Sequence, residues 1–314
     1  MNKTRRRLIK GMFTSGTLLA FGIPVATQAA STKQTFLDDM RNCQLLLGNT
    51  LVDEAFASGA QTAFFYHANY RQGTLPAFKL ENELLTNPLH VVDLLAQSRN
   101  MRWITVMDHG SAAIFTELVR NLDGRLMSLG SHISSDNNAS ILMRHVWTTA
   151  SPMHSAGGLL ASLLIQNQHE FSIVENFLEQ AVGNGEIKNS LLAEFSSYRL
   201  VEQPTIHLHC TGVSPPEASQ LIGWKESENW ESLSSQSDKF SINQNEIAAD
   251  EILERPSFDN WVEATGYAVV ATALGLGIYQ QSCSSRAFVR RSNRRYPDLP
   301  GLSGKHFVSF VIDV

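Results

Sequence analysis

The signatures by which many enzymes declare themselves in one dimension are missing from these 314 residues. There is no Gly-x-Gly-x-x-Gly, no Gly-x-Ser-x-Gly and no His-Glu-x-x-His. Gly304-Lys305 lacks both the earlier glycine and the following hydroxyl of a phosphate loop. The usual dinucleotide, nucleotide, serine-hydrolase and zincin motifs therefore carry no function here. Cysteine is scarce as well, with only Cys43, Cys210 and Cys283. That is too few for a disulfide scaffold, and with no Cys-x-x-Cys-His there is no attachment point for haem of the c type. In an oxidising compartment one pair can bridge, with Cys210 and Cys283 the foremost pairing and one thiol left over. Long apolar runs are also lacking. Met12 to Val25 is interrupted by Thr14, Ser15, Gly16 and Thr17, and Trp261 to Gly277 carries Glu263, so neither offers the roughly 20 apolar residues of a membrane span. No internal repeat is visible.

Positive charge is short in most of the chain. The formal charge is -5 overall, but Lys3, Arg5, Arg6, Arg7 and Lys10 fall within the first 30 residues, where there is no acid. Beyond them 20 Lys plus Arg face 30 Asp plus Glu, a balance of about -10. Nucleic-acid binding needs a basic face to neutralise phosphates, so none is expected. The remaining composition, 43% hydrophobic and 18% charged, is that of a globular protein with a sizeable core.

The basic start has a pattern. Thr4-Arg5-Arg6-Arg7-Leu8-Ile9-Lys10 resembles a twin-arginine signal motif at every position, namely a Ser or Thr, two arginines, any residue, a hydrophobic pair and a lysine. A weak apolar stretch follows, then small residues at Thr27, Ala29 and Ala30, which suit cleavage after Ala29 or Ala30. The resemblance implies a bacterial protein that meets the Tat translocase, crosses the inner membrane folded and works as a secreted, periplasmic protein without a stable membrane span. Export in folded form often serves a cofactor or partner that must be inserted first, and a periplasmic protein partner is a further candidate. Residues 1–30 are then a signal peptide and 31–314 a single α/β domain.

Within that domain, periodicity predicts a helix from Thr35 to Ala57 stopped by Gly59, and a buried strand at Gln61 to His67. Asn87-Pro88 opens a helix, and Arg102 to Met107 reads as a strand. Ile114, Phe115, Leu118, Val119 and Leu122 form the stripe of a helix ended by Asp123-Gly124, and Arg125 to Ser131 is the next strand. Arg102 to His132 thus has the grammar of a β-α-β unit. The expected fold is α/β, a mostly parallel sheet with helices on both faces in Rossmann-like layering. Further on we expect a polar stretch from His132 to Ser140, a strand at Ile141 to Thr148, and helices opened by Ser151-Pro152, through Phe171 to Leu178 and at Ile187 to Ser196. A strand at Thr205 to Cys210 and a helix opened by Pro215-Pro216 come next. A polar excursion with nine acids occupies the region near 225–260, Trp261 to Gly277 is an Ala-rich helix, and a late C-terminal strand at His306 to Val314 joins the sheet.

Three constellations can carry chemistry. Asp108-His109-Gly110-Ser111 lies where a strand hands over to a helix, a place where a carboxylate, an imidazole and helix amides can hold a ligand, although helix capping accounts for the same residue types. On a strand, His207 and His209 share a face and make a candidate pair for a divalent transition metal, given a third ligand from Asp108, His109, His132 or His154. Met153 to Gly158 opens a helix with small residues around His154, permitting a close approach. Asp108, His109, Ser111, His132 and His154 are accordingly the ligand-binding candidates. Arg286, Arg290, Arg291, Arg294 and Arg295 form the one dense basic patch, read as a solvated strand edge facing the acidic excursion. No complete catalytic set can be assembled from these parts. The reading is therefore an accessory or ligand-binding protein, with a metal-dependent, hydrolase-like enzyme built on His207 and His209 as the alternative.

Overall fold

Residues 103–107 are buried without a break, so the strand that holds them, β3 (Arg102–Asp108), must be covered on both faces. The computed structural model describes residues 43–67, 73–80, 87–137, 140–149, 170–177, 196–203, 205–222, 229–232, 256–258, 260–274, 283–291, 304 and 306–314. In it β3 is preceded by β1 (Cys43–Leu47), α1 (Asp53–His67), β2 (Ala77–Lys79) and α2 (Pro88–Gln97). It is followed by α3 (His109–Asn121), β4 (Arg125–Asn137), β5 (Ser140–Thr149), β6 (Glu170–Phe177), β7 (Ser196–Leu200) and β8 (Ile206–Thr211). Then come α4 (Pro215–Ile222), β9 (Trp230–Ser232), α5 (Trp261–Ala273), β10 (Cys283–Arg291) and β11 (His306–Asp313). For β5 and β10 only the backbone is described.

The strands hydrogen-bond in the order β2-β1-β3-β11-β4-β5-β10-β6-β8-β7-β9. Only β1 with β2 and β1 with β3 are parallel, and every other pairing is antiparallel. This corrects the expectation of a mostly parallel, Rossmann-like sheet. The β-α-β grammar was read from the right elements, β3, α3 and β4, which do run in the same direction. The two strands are nevertheless not neighbours, because β11 lies between them and is antiparallel to both. Periodicity reports which residues of a strand are buried and is silent on which strand lies alongside.

Alternation along the central strands divides the core. Leu45, Leu47, Ile104, Val106, Phe307 and Val311 meet α1 and α5, while Leu46, Trp103, Met107, Val308, Phe310 and Ile312 meet α2 and α3. A third cluster joins Val174, Ile206, Leu208 and Cys210 to Ala218 of α4. α5 is buried along nearly its whole length, as befits a helix that is apolar all round. Its Thr265 and Thr272 hydroxyls donate to Trp261 O (2.8 Å) and Ala268 O (2.6 Å). Where it meets α1 the backbones nearly touch: a Cβ at Gly59 would lie 1.9 Å from Glu263 O, and one at Gly266 would lie 2.3 Å from Phe56 O. Among the described residues no helix is long and apolar enough to cross a membrane.

Several local expectations give way. Gln61 to His67 belongs to α1 and is not a strand, and Gly59 lies inside that helix as its contact point and does not end it. Residues 43–47, expected in a helix, form β1. Residues 171–177, read as helical, form β6, and the polar stretch after His132 continues β4 to Asn137. α2 starts at Pro88 as expected, but the Asn87 side chain makes no capping bond. α3 ends with Asp123, not a glycine, in the left-handed region (φ 58°). β10 is paired on both sides, by β5 and β6, so Arg286, Arg290 and Arg291 stand on an interior strand and not on an edge. Cys210 is a buried free thiol. It pairs with Ser172 of β6 and Cys283 with Phe177 of the same strand, five residues along, roughly 16 Å at about 3.3 Å per residue and too far for a disulfide. The helices expected near 151–164 and 187–195, and most of the acidic excursion apart from β9, lie outside the described residues.

Candidate functional site

The carboxyl end of β3 is where the parallel strands part company. From β1 the chain crosses by α1, on one face, to β2, and from β3 it crosses by α3, on the other face, towards β4. A crevice outside strand ends that diverge in this way is the usual ligand position in such sheets. β1 leaves it tightly: Gly48 N donates to Val106 O at 2.8 Å, and a Cβ at Gly48 would lie 2.4 Å from that of Met107. On the next turn Thr50 Oγ1 donates to Asp53 Oδ1 at 2.6 Å, and Asp53 is buried.

On the β3 side, Asp108 Oδ1 accepts from Gly110 N (2.8 Å) and Ser111 N (3.0 Å), and Ser111 Oγ donates to Oδ2 at 2.5 Å. Burial opposes the charge of this carboxylate, but the Ser111 and Gly110 hydrogen bonds outweigh it and hold the pKa below the usual value. Asp108 is therefore the cap of α3, and its oxygens take the amides that an anion would use.

His109 follows with its ring stacked on His306, at the start of β11, centroids 4.4 Å apart and planes at 23°. His306 Nε2 lies 2.7 Å from Ser131 Oγ of β4. Burial, and then His109 beside it, pushes the His306 pKa down to about 4, so this ring is neutral at physiological pH. His132, fully buried, turns to the opposite face, with Nε2 2.9 Å from Ser309 Oγ and its ring 4.8 Å from Phe307, which stacks in turn on Trp261.

The second constellation stands apart. The rings of His207 and His209 are 6.3 Å apart on β8, and His209 Nδ1 lies 2.8 Å from Ser197 Oγ of β7. Burial, with His207 next, pushes the His209 pKa down to about 3. β8 is the sixth strand along from β3 and the fourth from β4, so Asp108, His109 and His132 do not reach this pair through the sheet. Among the described residues no group of three or more His, Cys, Asp or Glu side chains is placed to hold a metal ion. His154 lies outside the described residues.

The structure thus gathers Asp108, His109 and Ser111, and adds His306 and Ser131, which sequence reasoning did not single out. Ser131 and His306 are 175 residues apart, and only the strand pairing unites them. Comparison with protein-family models, with curated proteins and with solved structures finds no match to this chain.

Proposed function

We propose that this chain is a periplasmic accessory or ligand-binding protein, exported folded by the twin-arginine route, and that its binding edge is the carboxyl end of β1 to β4. One observation carries the reading. Of the large apolar side chains described as exposed, Leu51 (69%), Leu89 (72%), Ile114 (36%) and Ile133 (41%) all lie along that edge. Leu51 is in the turn after β1, Leu89 in the first turn of α2, Ile114 in the second turn of α3, and Ile133 opposite His306. Apolar side chains collected on one edge, beside diverging strand ends, are the mark of a surface that meets something. The other two exposed apolar residues, Phe65 and Val201, follow no such pattern.

The test is photo-crosslinking of the full chain in its host, with the reactive residue at position 51, 89 or, as control, 201. The expected result is an adduct of one discrete mass at 51 and 89 and none at 201. Equal labelling at all three, or none, would sink the binding edge. Export is read in the same cells: with Arg5→Lys and Arg6→Lys combined, the precursor is expected to stay in the cytoplasm, and unchanged export would defeat that part.

A further inference from the structure

β8 is buried from Ile206 to Cys210, and its two faces are unlike. Ile206, Leu208 and Cys210 join Ala218 of α4 in an apolar cluster. His207 and His209 take the other face, both buried and His209 completely so. The neighbouring strands add to that face, because residues directly opposite in an antiparallel pair share it, with Cβ atoms roughly 4.5–5.5 Å apart. On β7, Ser197 stands opposite His209 and Arg199 opposite His207. On β6, Ile173 stands opposite His209, and Glu175, whose backbone alone is described, stands opposite His207. Ile173 is fully buried and belongs to the core cluster of α1 and α5, so the β6 side of His209 is apolar. Arg199 Nη2 donates to Glu231 Oε2 of β9 at 2.7 Å, which gives its charge a carboxylate of its own.

We infer that His207 and His209 bind a divalent transition-metal ion, with the Glu175 carboxylate as the third protein ligand. Imidazole with carboxylate suits zinc and its neighbours, whereas the hard cations take oxygen ligands. An ion about 2.0–2.1 Å from a nitrogen of each ring lies roughly 3 Å from each ring centre, so two rings sharing it stand roughly 5–6.5 Å apart. The rings of His207 and His209 are 6.3 Å apart with their planes at 84°. Ser197 Oγ, 2.8 Å from His209 Nδ1, leaves Nε2 as the coordinating nitrogen, and an orienting partner of this kind fixes the tautomer of a metal-bound histidine. Three such ligands leave the fourth position of a tetrahedral ion to water.

The strand order removes Asp108, His109 and His132 as the third ligand, and the same order puts Glu175 beside the pair. The site stands apart from the carboxyl edge of β1 to β4 and does not depend on what that edge binds.

The test is zinc retention by the purified full chain, stripped with a chelator, equilibrated with excess Zn²⁺ alone and freed of loose ion by gel filtration. One ion per chain is expected, with a raised thermal midpoint. Cobalt(II) in place of zinc should give the visible bands of a tetrahedral nitrogen and oxygen site, without a thiolate charge-transfer band. His207→Ala and His209→Ala should abolish retention. Ser197→Ala, which frees His209 to turn, should weaken zinc binding roughly 10–100-fold, and Glu175→Gln, which removes a ligand, at least as much. His90→Ala, at the exposed start of α2, should change nothing. No stoichiometric zinc in the wild type would overturn the site. So would binding undiminished in His207→Ala or Glu175→Gln, binding lost in His90→Ala, or a thiolate band. If a histidine variant fails to fold, the wild-type cobalt spectrum and Glu175→Gln still decide.

Discussion

His209 and His306 are kept neutral by burial, and this ties stability to pH in a definable direction. Both folded pKa values, about 3 and about 4, lie below the ordinary histidine value, so the unfolded chain binds protons that the folded one refuses. Their contribution is whole above about pH 6.5 and is lost as pH falls through the window down to those values. His209, fully enclosed, accounts for most of it, about 3 kcal/mol between pH 7 and pH 4, and the half-buried His306 adds less. Urea unfolding at a series of pH values should show stability falling below about pH 6. In His209→Asn, which can still bond Ser197, the slope should be smaller by about one proton even though the variant is less stable at pH 7. A slope equal to that of the wild type would show that His209 is not the titrating group. The residue scale also explains why Asp108 and Ser111 were legible early: a cap is made by residues two and three positions apart, so its partners lie within view of each other in the sequence. His109 has its partner on a strand near the far end of the chain, and nothing local announces it.

Among the elements, the crossing of α1 and α5 is the least forgiving. Gly→Ala inside a helix normally gains about 1 kcal/mol. At Gly59 and Gly266 the added methyl meets backbone carbonyl groups, which cannot swing aside, so overpacking should outweigh the gain. Gly59→Ala and Gly266→Ala are each expected to lower stability by about 1–3 kcal/mol in thermal or urea unfolding, while Ser58→Ala, exposed on the same helix, should stay within about 0.5 kcal/mol. An unchanged or raised midpoint for Gly59→Ala would mean that the helices do not approach so closely.

The same elements show what the sequence made readable. β3, α3, α5 and β11 have strong apolar patterns and were found nearly in place. The far half of β4, from His132 on, is not legible because its buried residues there include the polar His132 and Ser134, and a strand whose inner face is polar looks like a loop. α1 was split because its aromatic second half suits a strand as well as a helix, and only α5 packed against it decides. The sheet order was beyond reach for a different reason: the one strand that separates β3 from β4 is encoded far from both.

For the whole molecule, β11 makes the sheet continuous. Among the described strands it is the one that hydrogen-bonds the part carrying β1 to β3 to the antiparallel part from β4 onward. A chain stopped before His306 keeps every other described element but leaves β3 and β4 each with an unsatisfied edge, and it loses Phe307, Phe310 and Val311 from two core clusters. Such a chain should show no cooperative thermal transition by circular dichroism. A melt at the full-length temperature would show that the two parts stand without their link.

Synthesis gives that position of β11 a meaning in time. A ribosome adding roughly 5–20 residues per second exposes β3 for roughly 10–40 s before β11 emerges, and for that interval β3 and β4 lack the neighbour that belongs between them. Holding these edges apart is then a task for whatever meets the nascent chain. A chain ended within that interval lacks the strand that belongs between β3 and β4, so both edges stay open.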